Sequence, residues 1–250
     1  MSADRQVSGL EVKGFIPNTM LDWEGMLAST VFLPRCNFRC PYCQNPDLVL
    51  HPERLETVPF SVIREYMRER AGWIEGVCIT GGEPCLHKGL PDFCSALKAE
   101  GVGVKLDTNG SLPEMLAGLI SDGLVDYVAM DVKAPLEPSA YRLVSGNGQH
   151  NLLDRVRESI EIIRESGTPH EFRTTVVPMM HGPGEIERIA EYLRGEERYI
   201  LQYFSPRETI DPRFSKLKPF TEEDMLIMLE KARVFIPGAI TRGAPAGMDQ

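Results

Sequence analysis

Six short apolar runs, set apart by stretches of helical periodicity, constrain the fold of this chain. Residues 26–33 read as a buried strand that stops at Pro34, and residues 76–80, 102–108, 125–131, 172–177 and 199–204 repeat the pattern. Between them, Val62, Ile63, Tyr66 and Met67 fall at helical spacing in a helix that stops near Gly72. Leu90, Phe93, Cys94 and Leu97 mark a helix face at i, i+3, i+4 and i+7. Further helices are expected over residues 113–120, 152–166, where Gly167 ends the run, and 184–194. Thr221 caps a last amphipathic helix through Phe235, with Met225, Met228, Leu229 and Ala232 on one face. Strands that alternate with helices predict an α/β fold with a mostly parallel, curved sheet wrapped by helices, an open partial barrel. Residues 1–24 are expected as an N-terminal extension, residues 10–24 being a short hairpin or a segment lying against the core. Residues 25–236 are expected as one barrel domain ending in the C-terminal helix, and 237–250, rich in Gly, Pro and Ala, as a flexible tail.

The first strand delivers Arg35-Cys-Asn-Phe-Arg-Cys-Pro-Tyr-Cys-Gln-Asn45, with Cys36, Cys40 and Cys43 in a C-x3-C-x2-C spacing. Three thiolates in one loop can wrap a single inorganic centre but cannot close a structural zinc site, which takes four protein ligands. A cubane iron–sulfur cluster normally takes four cysteines, so three leave one iron with an open position. Two plainer readings stand beside this one: a zinc knuckle with a distant fourth ligand, and three ordinary thiols. With Tyr42 before the last cysteine, the loop resembles the cluster loop of the radical S-adenosylmethionine (SAM) superfamily. There the open iron is chelated by the amino and carboxylate groups of SAM. The resemblance narrows the fold expectation to a partial (β/α)6 radical SAM barrel.

Chemistry in α/β barrels sits at the carboxyl ends of strands, and those positions here are rich in it. After the second strand come Gly81-Gly82-Glu83-Pro84. Two glycines let backbone approach a ligand, and a carboxylate there can accept from an ammonium group. The third strand ends in Asp107-Thr108-Asn109-Gly110 and the fourth in Met130-Asp131-Val132-Lys133. Each segment also reads as a plain turn or cap. Together they suit a zwitterion: Lys133 for its carboxylate, Asp107 and Asp131 for a small cation or ribose hydroxyls. By resemblance, Tyr42, Gly81, Gly82, Glu83, Thr108, Asn109, Asp131 and Lys133 are the SAM-binding set.

The text around Phe15-Ile16-Pro17, the cysteine loop with Asn45-Pro46, residues 105–110, residues 124–135 and residues 201–206 resembles the glycyl-radical-enzyme activases. It is most similar to the activating proteins of anaerobic ribonucleoside-triphosphate reductase. The resemblance implies that a [4Fe–4S] cluster on Cys36, Cys40 and Cys43 reductively cleaves SAM, and that the resulting radical takes a hydrogen from a glycine of a partner enzyme. It implies a low-potential donor such as flavodoxin or ferredoxin. It also implies a monovalent cation at Asp107, Thr108, Met130 (through its carbonyl) and Asp131. The chain departs from the family pattern at Gln44, where many activases carry His after the third cysteine, and at Phe204, where formate-lyase activases offer a last-strand His. No residue is assigned as an acid–base catalyst.

Net charge is −9, from 27 basic and 36 acidic residues, which argues against a nucleic-acid partner. No apolar run approaches a membrane span and no signal peptide opens the chain, so no membrane partner and a cytoplasmic location are expected. Six cysteines, three in one loop, fit a reducing compartment. Cys78 and Cys94 read as packing residues, Cys85 as packing or as a neighbour of the SAM turn. His51, His87, His150, His170 and His181 form no ligand pattern and are expected in loops. Residues 136–150, with Tyr141, Arg142 and a Gly146-Asn147-Gly148 turn, are a candidate grip for the glycine loop. Two rival functions remain: a radical SAM enzyme acting on a small molecule or another peptide, such as a deazapurine-forming or peptide-modifying enzyme, and a non-enzymatic metal-binding or electron-transfer module.

Overall fold

The structure, a computed structural model, describes residues 9–243. In chain order its elements are β1 (Gly14–Thr19), β2 (Ala28–Leu33), α1 (Pro46–Leu50), α2 (Phe60–Glu69), β3 (Gly76–Gly81), α3 (Leu90–Ala99), β4 (Gly103–Thr108), α4 (Pro113–Ser121) and β5 (Tyr127–Asp131). Then follow α5 (Pro138–Ser145), α6 (Leu152–Ser166), β6 (His170–Val176), α7 (Pro183–Tyr192), β7 (Tyr199–Tyr203), α8 (Glu222–Arg233) and β8 (Ile240–Arg242). The fold class is α/β, as expected, and the six anticipated strands are β2 to β7. None of the helices among the described residues is long and apolar enough to cross a membrane.

The chain forms two compact, interleaved units. The first contains the chain up to Asn37, Asp47–Ala129 and Glu158–Pro169. Here β1 pairs antiparallel with β2, and β2, β3 and β4 pair parallel in chain order. Ala28, Val31, Leu33, Val77, Ile79, Val104 and Leu106 from the strands are buried, together with Ile63 and Met67 of α2 and Leu90, Phe93 and Leu97 of α3. The segment before β2 is therefore part of the sheet. Trp23 joins the core as well, because Gly76 and Gly103, partners across β3 and β4, leave room for its ring. A Cβ on Gly76 would lie 2.7 Å from that ring.

The second unit contains Phe38–Pro46, Met130–Arg157 and the chain from His170 onward. Within it β6, β7 and β8 pair parallel. The expectation of a flexible tail from residue 237 is corrected here. Ile240–Arg242 pair with Ile200–Gln202, and Arg242 makes a two-pronged ion pair with buried Glu171 at 2.8 and 3.0 Å. A paired strand and a bidentate guanidinium–carboxylate contact hold those residues. Residues 244–250 of that tail, and residues 1–8, lie outside the described residues. Thr221 caps α8 as expected, its hydroxyl accepting from Asp224 N–H while the Asp224 carboxylate accepts from Thr221 N–H.

Candidate functional site

In the first unit, β2 leads through Pro34 and Arg35 into Cys36. Arg35 sits at φ 66°, a left-handed conformation that costs a non-glycine residue about 1–3 kcal/mol. Neighbouring groups fix it there. Its N–H donates to the Leu48 carbonyl at 2.7 Å, its carbonyl accepts from Glu83 N–H at 2.8 Å, and the Pro34 carbonyl accepts from His87 Nε2 at 2.8 Å. Gly81 and Gly82 are needed for the same approach: a Cβ on either would overlap the Leu33 or the Arg35 carbonyl. The Gly-Gly-Glu-Pro turn thus backs directly onto the entrance of the cysteine loop.

Glu83 is buried and clamps two strand ends. Its carboxylate accepts from Asn109 N–H at 2.7 Å, the Thr108 hydroxyl at 2.8 Å and Cys85 N–H at 3.0 Å. Burial pushes its pKa up, against the pull of those hydrogen bonds. Cys85 belongs to the same buried knot, and burial lifts its thiol well above the usual range. Asn109 reaches back to the loop, its Nδ2 donating to Asn37 Oδ1 at 3.0 Å and lying 3.8 Å from Cys36 Sγ. Its Oδ1 accepts from the Ser111 N–H and hydroxyl, and Ser111 Oγ in turn accepts from Asn37 Nδ2. Asp107 directly precedes Thr108 at the end of β4.

In the second unit, Cys43 N–H donates to the Cys40 carbonyl at 3.0 Å, which curls the loop around its last two thiols. Burial pushes the Cys40 thiol up to about 11 and raises Cys43 as well. Buried Tyr42 hydrogen-bonds the Cys40 side chain, and its phenol is likewise pushed well up by burial. At the end of β5, Asp131 accepts from Arg173 Nε at 2.9 Å and Lys133 Nζ at 3.2 Å. Burial alone would raise the Asp131 pKa, but the two cations outweigh it and hold the carboxyl below its ordinary range. Burial works against the Lys133 ammonium, and Asp131 together with nearby Tyr42, Cys40 and Tyr141 more than offsets that, so its pKa lies well above the usual lysine value.

The loop is braced from several sides. Arg39 N–H donates to the Ser145 carbonyl at 2.8 Å, and Gly146, left-handed at φ 61°, ends α5 where a Cβ would overlap the Arg39 carbonyl. Asp211 N–H donates to the Pro41 carbonyl at 2.9 Å, and Gln44 Nε2 to the Ser205 carbonyl at 2.7 Å. Gln44, the departure from a family His, serves here as a tether. Phe204 is core.

One unit therefore assembles Cys36, Gly81, Gly82, Glu83, Thr108 and Asn109, and the other Cys40, Tyr42, Cys43, Asp131 and Lys133. Met130 is fully buried in β5, its thioether in the core. Arg173, His181, Asn37 and Ser111 were not among the expected site residues, and Tyr141 was expected only as part of a grip for the glycine loop. Arg173 lies in a strand that also carries His170, Glu171, Thr174 and Thr175, so nothing in the sequence singled it out. His181 is buried, its Nδ1 accepting from Val177 N–H at 3.0 Å and its Nε2 bonded to the Lys133 carbonyl at 2.8 Å. The expectation that all five histidines lie in loops is corrected for His170, which opens β6 and pairs with Glu196 at 2.9 Å.

Residues 30–194 match the radical SAM superfamily. The chain belongs to that superfamily. A candidate glycyl-radical enzyme activating enzyme of Methanocaldococcus jannaschii is 31% identical over 235 residues, covering 92% of this chain and 95% of that protein. A GTP 3′,8-cyclase of Helicobacter pylori is 26% identical over 198 residues, covering 78% of this chain but 60% of the cyclase. Among solved structures, Escherichia coli QueE aligns with a TM-score of 0.54 at 15% identity, over 96% of this chain and 98% of its own. Streptococcus suis SuiB aligns with a TM-score of 0.62 at 17% identity, over 84% of this chain and 47% of its own. These two likenesses concern the fold alone.

Radical SAM membership implies a [4Fe–4S] cluster and SAM. The donor chemistry suits a cluster: Cys36 in one unit and Cys40 and Cys43 in the other are free thiols, and the Asn109 amide stands at Cys36 as a donor to sulfur. Among the described residues no group of three His, Cys, Asp or Glu side chains forms a conventional metal-ion site. Asp131 arrives with two positive partners, the reverse of an acidic nest for a cation.

Proposed function

We propose that this radical SAM enzyme is an activase that takes a hydrogen atom from the Cα of a glycine in a partner glycyl-radical enzyme. The carrying observation is the 31% identity to a candidate glycyl-radical enzyme activating enzyme across nearly the full length of both chains. In this reading Cys36, Cys40 and Cys43 hold the [4Fe–4S] cluster, which when bound supplies the electron that breaks a sulfonium carbon–sulfur bond of SAM. Lys133 meets the SAM carboxylate with the ammonium donors not spent on Asp131. Gly81 and Gly82 let backbone come close to the methionine moiety, and Tyr42, Thr108, Asn109 and Asp131 complete the setting. Glu83 keeps the two strand ends in register and, with three hydrogen bonds already accepted, has little capacity left for an ammonium group. These residues bind and orient, and no acid–base dyad is required. A monovalent cation is left out of the proposal, because Asp131 is already neutralised by Arg173 and Lys133.

The partner is anaerobic ribonucleoside-triphosphate reductase and the electron donor a flavodoxin or ferredoxin, by the resemblance of residues 105–110 and 124–135 to that activase group. A second reading, action on a small molecule, draws on the likeness to GTP 3′,8-cyclases. One experiment separates them. Electron paramagnetic resonance of anaerobically reconstituted, reduced protein should show a cluster signal that changes on adding SAM. Mixing with the reductase should then produce a glycyl radical. A SAM-sensitive cluster with no glycyl radical on any glycyl-radical enzyme would move the assignment to the small-molecule reading.

A further inference from the structure

A cleft of about 410 Å³ opens in the second unit between α5 and the start of α6, lined by Tyr141, Arg142, Asn147, Gln149, His150 and Arg157 among others. That volume falls in the range of binding pockets, roughly 300–1,000 Å³. Its charge runs against the rest of the molecule. Two arginines face a single carboxylate, Asp154, whereas the whole chain carries −9. Arg157 is anchored to the wall: its Nη2 donates to the Leu136 carbonyl at 2.8 Å and its Nη1 lies 3.4 Å from Asp154. Arg142 is exposed, and the amides of Asn147 and Gln149 offer donors and acceptors of the kind that pair with peptide backbone.

The cleft adjoins half of the proposed site. Tyr141 forms one of its walls and is buried, with its hydroxyl accepting from the Lys133 backbone N–H at 3.5 Å. That hydroxyl also lies within electrostatic reach of Cys40 and Asp131. The helix bearing Tyr141 and Arg142 is bolted to the cysteine loop by the Arg39 to Ser145 hydrogen bond and by Gly146 against the Arg39 carbonyl. Tyr141 thus stands between the cleft and the backbone of Lys133.

We infer that this cleft seats an acidic stretch of the polypeptide that the enzyme activates. The inference rests on the activase reading. Isolated carboxylates on a peptide suit two arginines spaced along one wall, whereas Asp154 among them repels a compact polyphosphate. Complementary charge would also steer the acidic segment out of bulk solution toward this basic recess.

The test is fluorescence anisotropy of the reconstituted holoprotein with a labelled glutamate-rich peptide around a central glycine. Its lysine-substituted counterpart serves as control and inorganic phosphate as competitor. The acidic peptide should bind and the basic one should not. Arg142→Glu should weaken the acidic peptide by about tenfold or more, while Arg142→Lys keeps most of the affinity. Gln149→Glu, a second exposed position, should weaken it in the same direction, so the result does not hang on one variant folding. Equal binding of the two peptides, indifference to both acidic substitutions, or uptake of phosphate in place of peptide overturns the inference. A glycyl radical that forms normally although the peptide does not bind overturns the cleft alone. Peptide binding without any glycyl radical overturns the activase reading beneath it.

Discussion

His181 holds the Lys133 carbonyl at 2.8 Å through its Nε2–H and accepts the Val177 N–H at 3.0 Å on Nδ1, and only a neutral ring can make both bonds at once. Burial lowers its pKa below the ordinary 6.5, against the smaller raising influence of the Lys133 carbonyl. The folded pKa is depressed, so the unfolded chain binds the proton more readily. The contribution to stability is therefore full above pH 6.5 and is lost as pH falls from there through the folded pKa. Urea titrations between pH 7 and 5 should show a stability slope steeper for the parent than for His181→Asn, by up to about 1.4 kcal/mol per pH unit. Equal slopes would mean that His181 does not sense pH.

The approach of Gly82 to the Arg35 carbonyl leads to a second expectation. A Cβ there overlaps backbone, which cannot swing away as a side-chain tip could. Gly82→Ala should cost at least about 2 kcal/mol and lower iron incorporation, since Arg35 precedes Cys36. Gly72→Ala is the control: its φ is +83° but nothing lies within 4 Å of the added carbon. It should lose only about 1 kcal/mol and load iron normally. Thermal melts and iron assays on both proteins decide the matter.

Much of this was legible in the sequence. The helix expected over residues 152–166 is α6 with those same bounds, because fifteen residues of unbroken periodicity end at a glycine. The cysteine loop and the motifs at residues 81–84, 107–110 and 130–133 lie at strand ends as anticipated. The short elements were not legible. α1 has five residues and β8 three, too few for a period to show, and α5 follows a proline-rich turn. Nor could periodicity show that Arg173 pairs with Asp131 across 42 residues, or that Asn37, Asn109 and Ser111 close one hydrogen-bonded network. Such pairings are set by which strand ends become neighbours in space, which a pattern of apolar residues does not encode.

Asp131 between Arg173 and Lys133 is an electrostatic unit that should behave asymmetrically. Arg173→Met removes one of two cations and leaves the carboxylate paired, at a cost of about 1–3 kcal/mol. Asp131→Asn leaves two part-buried cations facing a neutral amide, and should destabilise more while weakening SAM binding through the displaced Lys133. Calorimetric melts together with isothermal titration of SAM into the reconstituted enzyme test both parts. A milder effect for Asp131→Asn than for Arg173→Met would contradict the arrangement.

The thiols divide into two chemical classes. Cys36 and Cys43 are partly exposed, whereas Cys40, Cys78, Cys85 and Cys94 are buried, and burial lifts Cys40 to about 11, Cys94 to about 12 and Cys85 still further from reactivity. Alkylation needs an accessible thiolate. Brief treatment of native, iron-free protein with iodoacetamide should therefore label Cys36 and Cys43 first and spare the four buried thiols, Cys40 among them. After anaerobic reconstitution, labelling of Cys36 and Cys43 should be suppressed, and Cys85→Ala should still load iron as the parent does. Peptide mass mapping reads both outcomes. Protection of Cys85 by iron, or loss of iron from Cys85→Ala, would bring that residue into the metal site and dissolve the distinction drawn from burial.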